Sequence, residues 1–286
     1  MQATKELNAL LSLIDDPDGD VYLTVSGKLI DYGLPIKPNL EHLWETSPDE
    51  EVQSRIESII HKLHLSDLER EFLSWRNTAE QDLLSGALLL AKYEFPEMVF
   101  QPTLDSIEKL RKNIWLELNS FLTPLENVNV VTNILYEYFG LKGIDSTYEN
   151  LDGYFINKVI EHKKGNSVTN TILFQILCNQ LSIPSSIISF PNIFLIAFYE
   201  PTVLKNEFTK EDVHFYIDAN YGRPISQYDI DRYINKMNID PTIDYCKPLS
   251  NKKVIQTLIE ETATCYQQQP KTHFKWEELM RIAEML

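Results

Sequence analysis

Only three cysteines, Cys178, Cys246 and Cys265, occur in 286 residues, and their gaps match no disulfide framework and no zinc-ligand spacing. A reducing compartment suits such a chain. Positive charge is also scarce: 26 Lys plus Arg stand against 42 Asp plus Glu, a formal net charge of -16. Counterion-driven attraction to nucleic acid or to an anionic membrane needs the opposite sign, so neither is expected as a partner. Long apolar runs are missing as well. The longest, residues 187–199, is interrupted by Pro191 and Asn192 and is shorter than the roughly 20 residues a spanning helix needs. At the N-terminus a short apolar stretch follows Lys5 and Glu6, contains Asn8 and Ser12, and lacks a small-residue cleavage site. No signal peptide is expected, and the expected compartment is the cytoplasm. What remains, 43% hydrophobic and 24% charged residues, is globular composition, neither disordered nor collagen-like. The length suggests two units or one large one.

The first third carries a weak internal repeat. Asp16-Pro17-Asp18-Gly19-Asp20-Val21 returns as Ser47-Pro48-Asp49-Glu50-Glu51-Val52, 31 residues on. Each copy is followed by an apolar stripe at helical spacing: Val21, Val25, Leu29 and Tyr32, then Val52, Ile56, Ile60 and Leu63. Pro suits a first helical turn, and acidic residues there complement the helix dipole. Helix, acidic turn, helix resembles the unit of HEAT arrays; an ordinary bundle of amphipathic helices fits the same pattern. Helical signals continue over 65–75 and 80–93. After a Pro-bearing break, a stripe of Leu104, Ile107, Leu110, Ile114, Leu118 and Phe121 predicts a helix over 104–122, and another over 128–139 stops at Gly140. From residue 183 the pattern turns β-rich over 186–190, 193–199 and 214–217, and helical periodicity resumes at 227–236 and from 252 to the end. The expected fold class is α+β, mostly α. The expected division is a HEAT-like helical region over 1–76, a core with a small antiparallel sheet over 77–245, and a C-terminal helical hairpin over 246–286.

Chemistry has one place to sit. Gly165-Asn166-Ser167-Val168-Thr169-Asn170 leads into a helix with apolar positions Val168, Ile172, Leu173, Ile176, Leu177 and Leu181, closed by Pro184. A polar residue at a helix N-terminus, facing polar residues on adjacent strands, is the layout of a papain-type triad. The helix dipole activates the nucleophile, one strand carries the base and the next orients it.

From about residue 80 to 244 the chain resembles the transglutaminase-like core of the bacterial SirB-type branch. That branch shows a stretch ending G-I-P-I-S, a helix ending L-G-L-P, a strand P-G-H-F-L-V and a strand with turn I-D-P-F-N-G-G. Here Lys163-Lys164-Gly165 precedes the helix start, Leu181-Ser182-Ile183-Pro184 closes the helix, Phe190-Pro191-Asn192-Ile193-Phe194-Leu195-Ile196 stands for the second strand, and Tyr216-Ile217-Asp218 for the third. The C-terminal hairpin is similar to the branch's TPR-like tail. The resemblance implies a Cys, His and Asp triad, from which this sequence departs. The helix start offers Ser167 or Thr169, Asn192 is assigned to the His position, and only Asp218 is retained in kind. An Asn has no titratable nitrogen to serve as general base, and a hydroxyl without a base is a poor nucleophile. The expectation is a catalytically degenerate protein that binds another protein or a ligand, with no cofactor and no metal. The alternative is a cryptic hydrolase or acyltransferase using Ser167 or Thr169 with an unorthodox base.

Other reactive residue types have plainer readings. His214 and Asp218 on one strand would sit about 13 Å apart, too far to pair, and His214 reads as a strand-end surface residue. Cys178 and Cys265 read as buried, inert thiols. His61 and His64 form an i,i+3 pair on a solvated helix face with no third metal ligand nearby, and His162 reads as exposed. Trp44, Trp75, Trp115 and Trp276 fall on helical stripes and are assigned to the core.

Overall fold

The structure, a computed structural model, describes residues 2–145, 148–190, 193–200, 202, 209–236, 247–267 and 270–286. The chain is mostly helical with a small antiparallel sheet. It divides into two compact units, one of Met1–Ser74 with Lys92–Pro96 and the other of Trp75–Ala91 with Glu97–Leu286. Among the described residues no helix is long and apolar enough to cross a membrane.

The first unit is built on α1 (Gln2–Leu11), α2 (Gly19–Tyr32), α3 (Lys37–Thr46) and most of α4 (Glu50–Arg76). Its two acidic turns work alike. Asp18 Oδ1 accepts the Asp20 N–H at 2.9 Å and Asp49 Oδ1 accepts the Glu51 N–H at 2.8 Å. Each carboxylate thus satisfies a donor that the helix itself leaves unpaired. The stripes then turn inward, Val25 and Leu29 from α2 against Ile56, Ile59 and Leu63 from α4, with Leu40 of α3 and Ile14. Arg55 ties α4 to the first of these turns. Its guanidinium donates to the Ile14 and Asp16 carbonyls at 3.0 and 2.7 Å and lies 4.9 Å from the Tyr22 ring centroid. No Gly or Pro interrupts residues 50–76, so α4 runs unbroken for 27 residues.

The second unit takes most of α5 (Leu83–Glu94), then α6 (Gln101–Glu117), α7 (Pro124–Thr132) and a wide π turn over Asn133–Tyr138. A two-residue parallel pair follows, β1 (Lys142–Gly143) with β2 (Lys164–Gly165), flanking α8 (Ile156–His162). Next comes α9 (Ser167–Gln180) and a four-stranded antiparallel meander: β3 (Ser185–Phe190), β4 (Ile193–Tyr199), β5 (Val213–Asp218) and β6 (Arg223–Ile225). Three helices complete it, α10 (Gln227–Lys236), α11 (Asn251–Gln267) and α12 (His273–Met285), the last two packed on each other.

Helix α9 lies against β3 and β4 and also touches α6, α8 and α11. Phe174 on α9 meets Phe198 of β4 edge-on, and Phe198 stacks on Phe215 with centroids 5.1 Å apart. The sheet packs Ile188, Phe190, Leu195, Ala197 and Tyr216 against Ile230 of α10, with Tyr233 5.3 Å from Phe190 between ring centroids. Helices cover both faces. Enclosed in this way, α9 has every side chain from Val168 to Cys178 buried.

Two expectations need correction. Helix α6 ends at Glu117, so Phe121, assigned to its stripe, stands 94% exposed. The chain turns there because Asn119 Oδ1 accepts the Phe121 N–H at 3.0 Å and Thr123 opens α7 with a capping box ahead of Pro124. Trp115 is 62% exposed, because it sits one position round the helix from the buried Ile114. Trp44 also leans outward and donates Nε1–H to Glu57 at 3.1 Å, whereas Trp75 is buried.

Two glycine substitutions separate packing from propensity. A Cβ at Gly86 of α5 would lie 2.7 Å from Ile255 Cγ1 and 2.8 Å from Trp75 Cζ2, whereas one at Gly27 of α2 meets nothing within 4 Å. Gly86→Val should lower unfolding free energy by about 1–3 kcal/mol through overpacking. Gly27→Ala should raise it by up to about 1 kcal/mol through helix propensity. Urea unfolding of the two variants reads both signs.

Candidate functional site at the start of helix α9

The site begins with backbone donors. The first N–H groups of α9 have no partner in the helix, and Asn166, in extended conformation at the N-cap, supplies one. Its Oδ1 accepts the Thr169 N–H at 2.9 Å and the Thr169 hydroxyl at 3.1 Å. One turn along, Asn170 Nδ2 donates to the Gly165 carbonyl at 2.9 Å and reaches Asn220 Oδ1 at 3.3 Å. Asn220 in turn donates its backbone N–H to Asp218 Oδ1 at 2.9 Å. Helix start, β2 and the turn after β5 are thereby joined by a run of amides ending on one carboxylate. Asn166, Thr169 and Asn170 are completely buried.

The turn after β5 is held from the other side by Tyr136, in the π turn, whose hydroxyl donates to the Ala219 carbonyl. A π turn widens the helix locally and re-aims its side chains. The ring fills the space over Gly222, where φ is +65° and a Cβ would lie 2.5 Å from Tyr136 Cδ2. Only glycine fits both the backbone and the gap. Gly143 in β1 is equally constrained, since a Cβ there would collide with Asn220.

Burial pushes the Asp218 carboxyl above its usual range, against the opposing pull of the Asn220 N–H and the Arg223 guanidinium. Arg223 is its register partner across β5 and β6. Burial also raises the Tyr136 phenol, with the Asp218 charge adding to the effect. Cys178, wholly buried in α9, is pushed up to about 12 by desolvation, which leaves it a thiol at neutral pH. Cys265 is raised by burial too. Cys246 lies outside the described residues.

Of the residues singled out from sequence, Thr169 and Asp218 belong to this cluster. Ser167 stands in the first turn of α9, partly exposed, its carbonyl accepting the Thr171 hydroxyl at 2.7 Å. Among the described residues, no titratable side chain hydrogen-bonds the hydroxyl of Ser167 or Thr169. Asn192 lies outside the described residues, so its expected contact with Asp218 is not among those on view. Laid without gaps on residues 191–196, the string P-G-H-F-L-V puts its His on Ile193, one position after Asn192. Neither position carries an imidazole. His214 sits on β5 with Nε2 3.2 Å from Glu200 Oε1 and 41% side-chain exposure, a surface residue. His61 lies edge-on to Tyr93. No group of three or more His, Cys, Asp or Glu placed to hold a metal occurs among the described residues.

Asn166, Asn170 and Tyr136, and the contact of Asn220 with Asn170, were not singled out from sequence. The i,i+4 pair of asparagines opening an otherwise apolar helix was a usable signal. Nothing in the residues around Tyr136 marked it.

A family model described as transglutaminase-like superfamily matches residues 101–260. Two bacterial proteins, both named UPF0162 protein, from Xylella fastidiosa strains Temecula1 and 9a5c, are 29% and 28% identical to the chain over 131 residues. The matches cover 43% of this chain and 45% of each relative, so the chain spans less than half the length of the curated relatives it matches. No solved structure matches it.

The raised Asp218 carboxyl makes a signed prediction. The folded chain keeps this proton to higher pH than the unfolded chain does. The stability that goes with it is full below the usual Asp range and is lost as pH rises to the higher folded value. Asp218→Asn keeps an acceptor for the Asn220 N–H and removes the charge. Relative to the parent chain the variant should therefore gain stability between pH 4 and pH 7 in urea unfolding. A parent chain that gains on the variant over that interval would mean the Arg223 attraction outweighs burial.

Proposed function

The chain belongs to the transglutaminase-like superfamily, and from that premise we propose that it is a catalytically degenerate member of the SirB-type branch, a module that binds a protein partner or ligand without turning it over. The observation that carries this reading is the amide run itself. Where acyl transfer by this superfamily calls for a nucleophile beside a titratable base, Thr169 is sealed against Asn166, and Asn170 and Asn220 stand between the helix start and Asp218. Amides hold geometry through hydrogen bonds and do not titrate near neutral pH, so the arrangement orients without acting as acid or base. The repeated acidic turns of the first unit support a HEAT-like region, and the α11–α12 pair a TPR-like tail. Both kinds of element present helical faces to other proteins. On this reading the protein is cytoplasmic and needs no cofactor.

One observation favours the rival reading. Ser167 is partly exposed in the first turn of a 14-residue helix, where the dipole favours negative charge on an attacking oxygen. A fluorophosphonate probe separates the two, since an activated serine hydroxyl displaces fluoride and becomes covalently phosphonylated. The native chain should remain unlabelled at Ser167 by mass spectrometry after prolonged exposure. Labelling that Ser167→Ala abolishes would establish a hydrolase-like serine instead.

A further inference from the structure

A second site lies on the same unit and uses none of the residues of the α9 cluster. Beside the β1–β2 pair a surface cavity of about 340 Å³ opens, with Ile144, Asp152, Gly153, His162 and Lys164 in its wall. Its charge pattern is unusual for this chain. Lys142 and Lys164 are register partners in the parallel pair, so their side chains leave the same face, and like charges placed opposite each other repel. Both are exposed, and neither has an anionic partner among the described residues. Two nearby carboxylates face other side chains, one of them within the cavity wall itself. Asp152 lies 3.5 Å from His162 Nδ1, and Glu161 takes Lys158 at 2.7 Å. A protein with a formal net charge of -16 has acidic residues in plenty, yet among the described residues none pairs with either lysine.

The backbone that presents the pair is itself strained. Lys163 closes α8 in the left-handed region at φ 57°, a position that usually takes Gly or Asn. Its carbonyl accepts the Lys142 N–H at 2.9 Å, and its ammonium is drawn off over the Phe139 ring. The reversal leaves His162 and Lys164, on either side of it, both facing the cavity. Strain of this kind persists where surrounding structure holds it, and it gathers at ligand clamps.

We infer that this cavity binds an oxyanion, the carboxylate or phosphate group of a small molecule, with Lys164 as its principal contact and Lys142 on the adjoining strand adding charge. An anion there relieves the lysine repulsion and gains a charge-assisted hydrogen bond. The wall residue Gly153 accepts the Asn166 N–H at 3.2 Å, so the cavity adjoins the start of α9 without involving Thr169 or Asp218. The inference holds whether or not the chain is catalytically degenerate.

The test is an NMR titration of the full chain with inorganic phosphate and, separately, with acetate, each at ionic strength held constant with chloride. Saturable shifts are expected for the backbone amides of Gly153, Lys164 and Gly165. Lys164→Gln should weaken binding about tenfold or more, the scale of one charge-assisted contact. Lys236→Gln, on α10 across the sheet from α9, should leave binding unchanged. A response to phosphate alone assigns a phosphate ligand, to acetate alone a carboxylate, and to both a general oxyanion site. No saturable shift with either anion would overturn the inference, as would equal affinity in Lys164→Gln.

Discussion

The complete enclosure of helix α9 is the constraint on which the second unit depends. A helix that meets water along one side can place its polar residues there, but α9 has no such side from Val168 to Cys178. Each polar group it carries must find a partner inside the protein or bear a desolvation cost of about 1–3 kcal/mol. Thr169 is satisfied by Asn166, and Thr171 by the Ser167 carbonyl. Gln175 donates to Asn179 and to Ser185 at the start of β3. Asn170 has to reach out of the helix altogether, to Gly165 and Asn220. The last of these bonds reaches the turn after β5, which Tyr136 grips from its far side. Helix, turn and strand end are thus positioned by the need to pair the buried amides of α9.

On the proposed reading, that need also leaves the cluster poorly suited to proton transfer. A general base must change its protonation state near the working pH, and its surroundings must tolerate both states. Among the described residues, the groups that hydrogen-bond the helix start are amides and hydroxyls. The Asp218 carboxylate is held by the Asn220 N–H and opposed by burial. Two amide atoms, Asn166 Nδ2 and Asn170 Oδ1, have no partner among the described residues. Both atoms are buried, so they are a desolvation cost of the arrangement and add neither acid nor base to it.

Much of the fold was legible in the sequence, and the reason is local. The Asp18 and Asp49 turns, the stripes on α2 and α4, the stop at Gly140 and the runs that became β3, β4 and β5 all rest on signals within a few residues of each other. What escaped depends on distant neighbours or on very short elements. Periodicity places Thr169, Asn170 and Gln175 between apolar rows, as though facing water. Only the wrapping of α6, α8, α11 and the sheet around α9 buries them. The pair β1–β2 and the three-residue β6 are too short for alternation to show. The overlong reading of α6 failed because Leu118 and Phe121 kept the apolar rhythm after the helix had ended at Glu117. At the site, Asp218 was legible through family resemblance. Its coupling through Asn220 to Asn170, fifty residues away in the chain, was not.

The central claim is that the amide run from Asn170 to Asp218 is a closed structural lock and not an open catalytic cleft. Hydrogen exchange followed by NMR addresses it most directly. The Asn220 backbone N–H, which donates to the Asp218 carboxylate, should exchange as slowly as the amide of Leu173 in the buried middle of α9, through global unfolding alone. Exchange of Asn220 at close to the rate of an unprotected amide, while Leu173 stays protected, would show the cluster open to water in the native state and would contradict the lock.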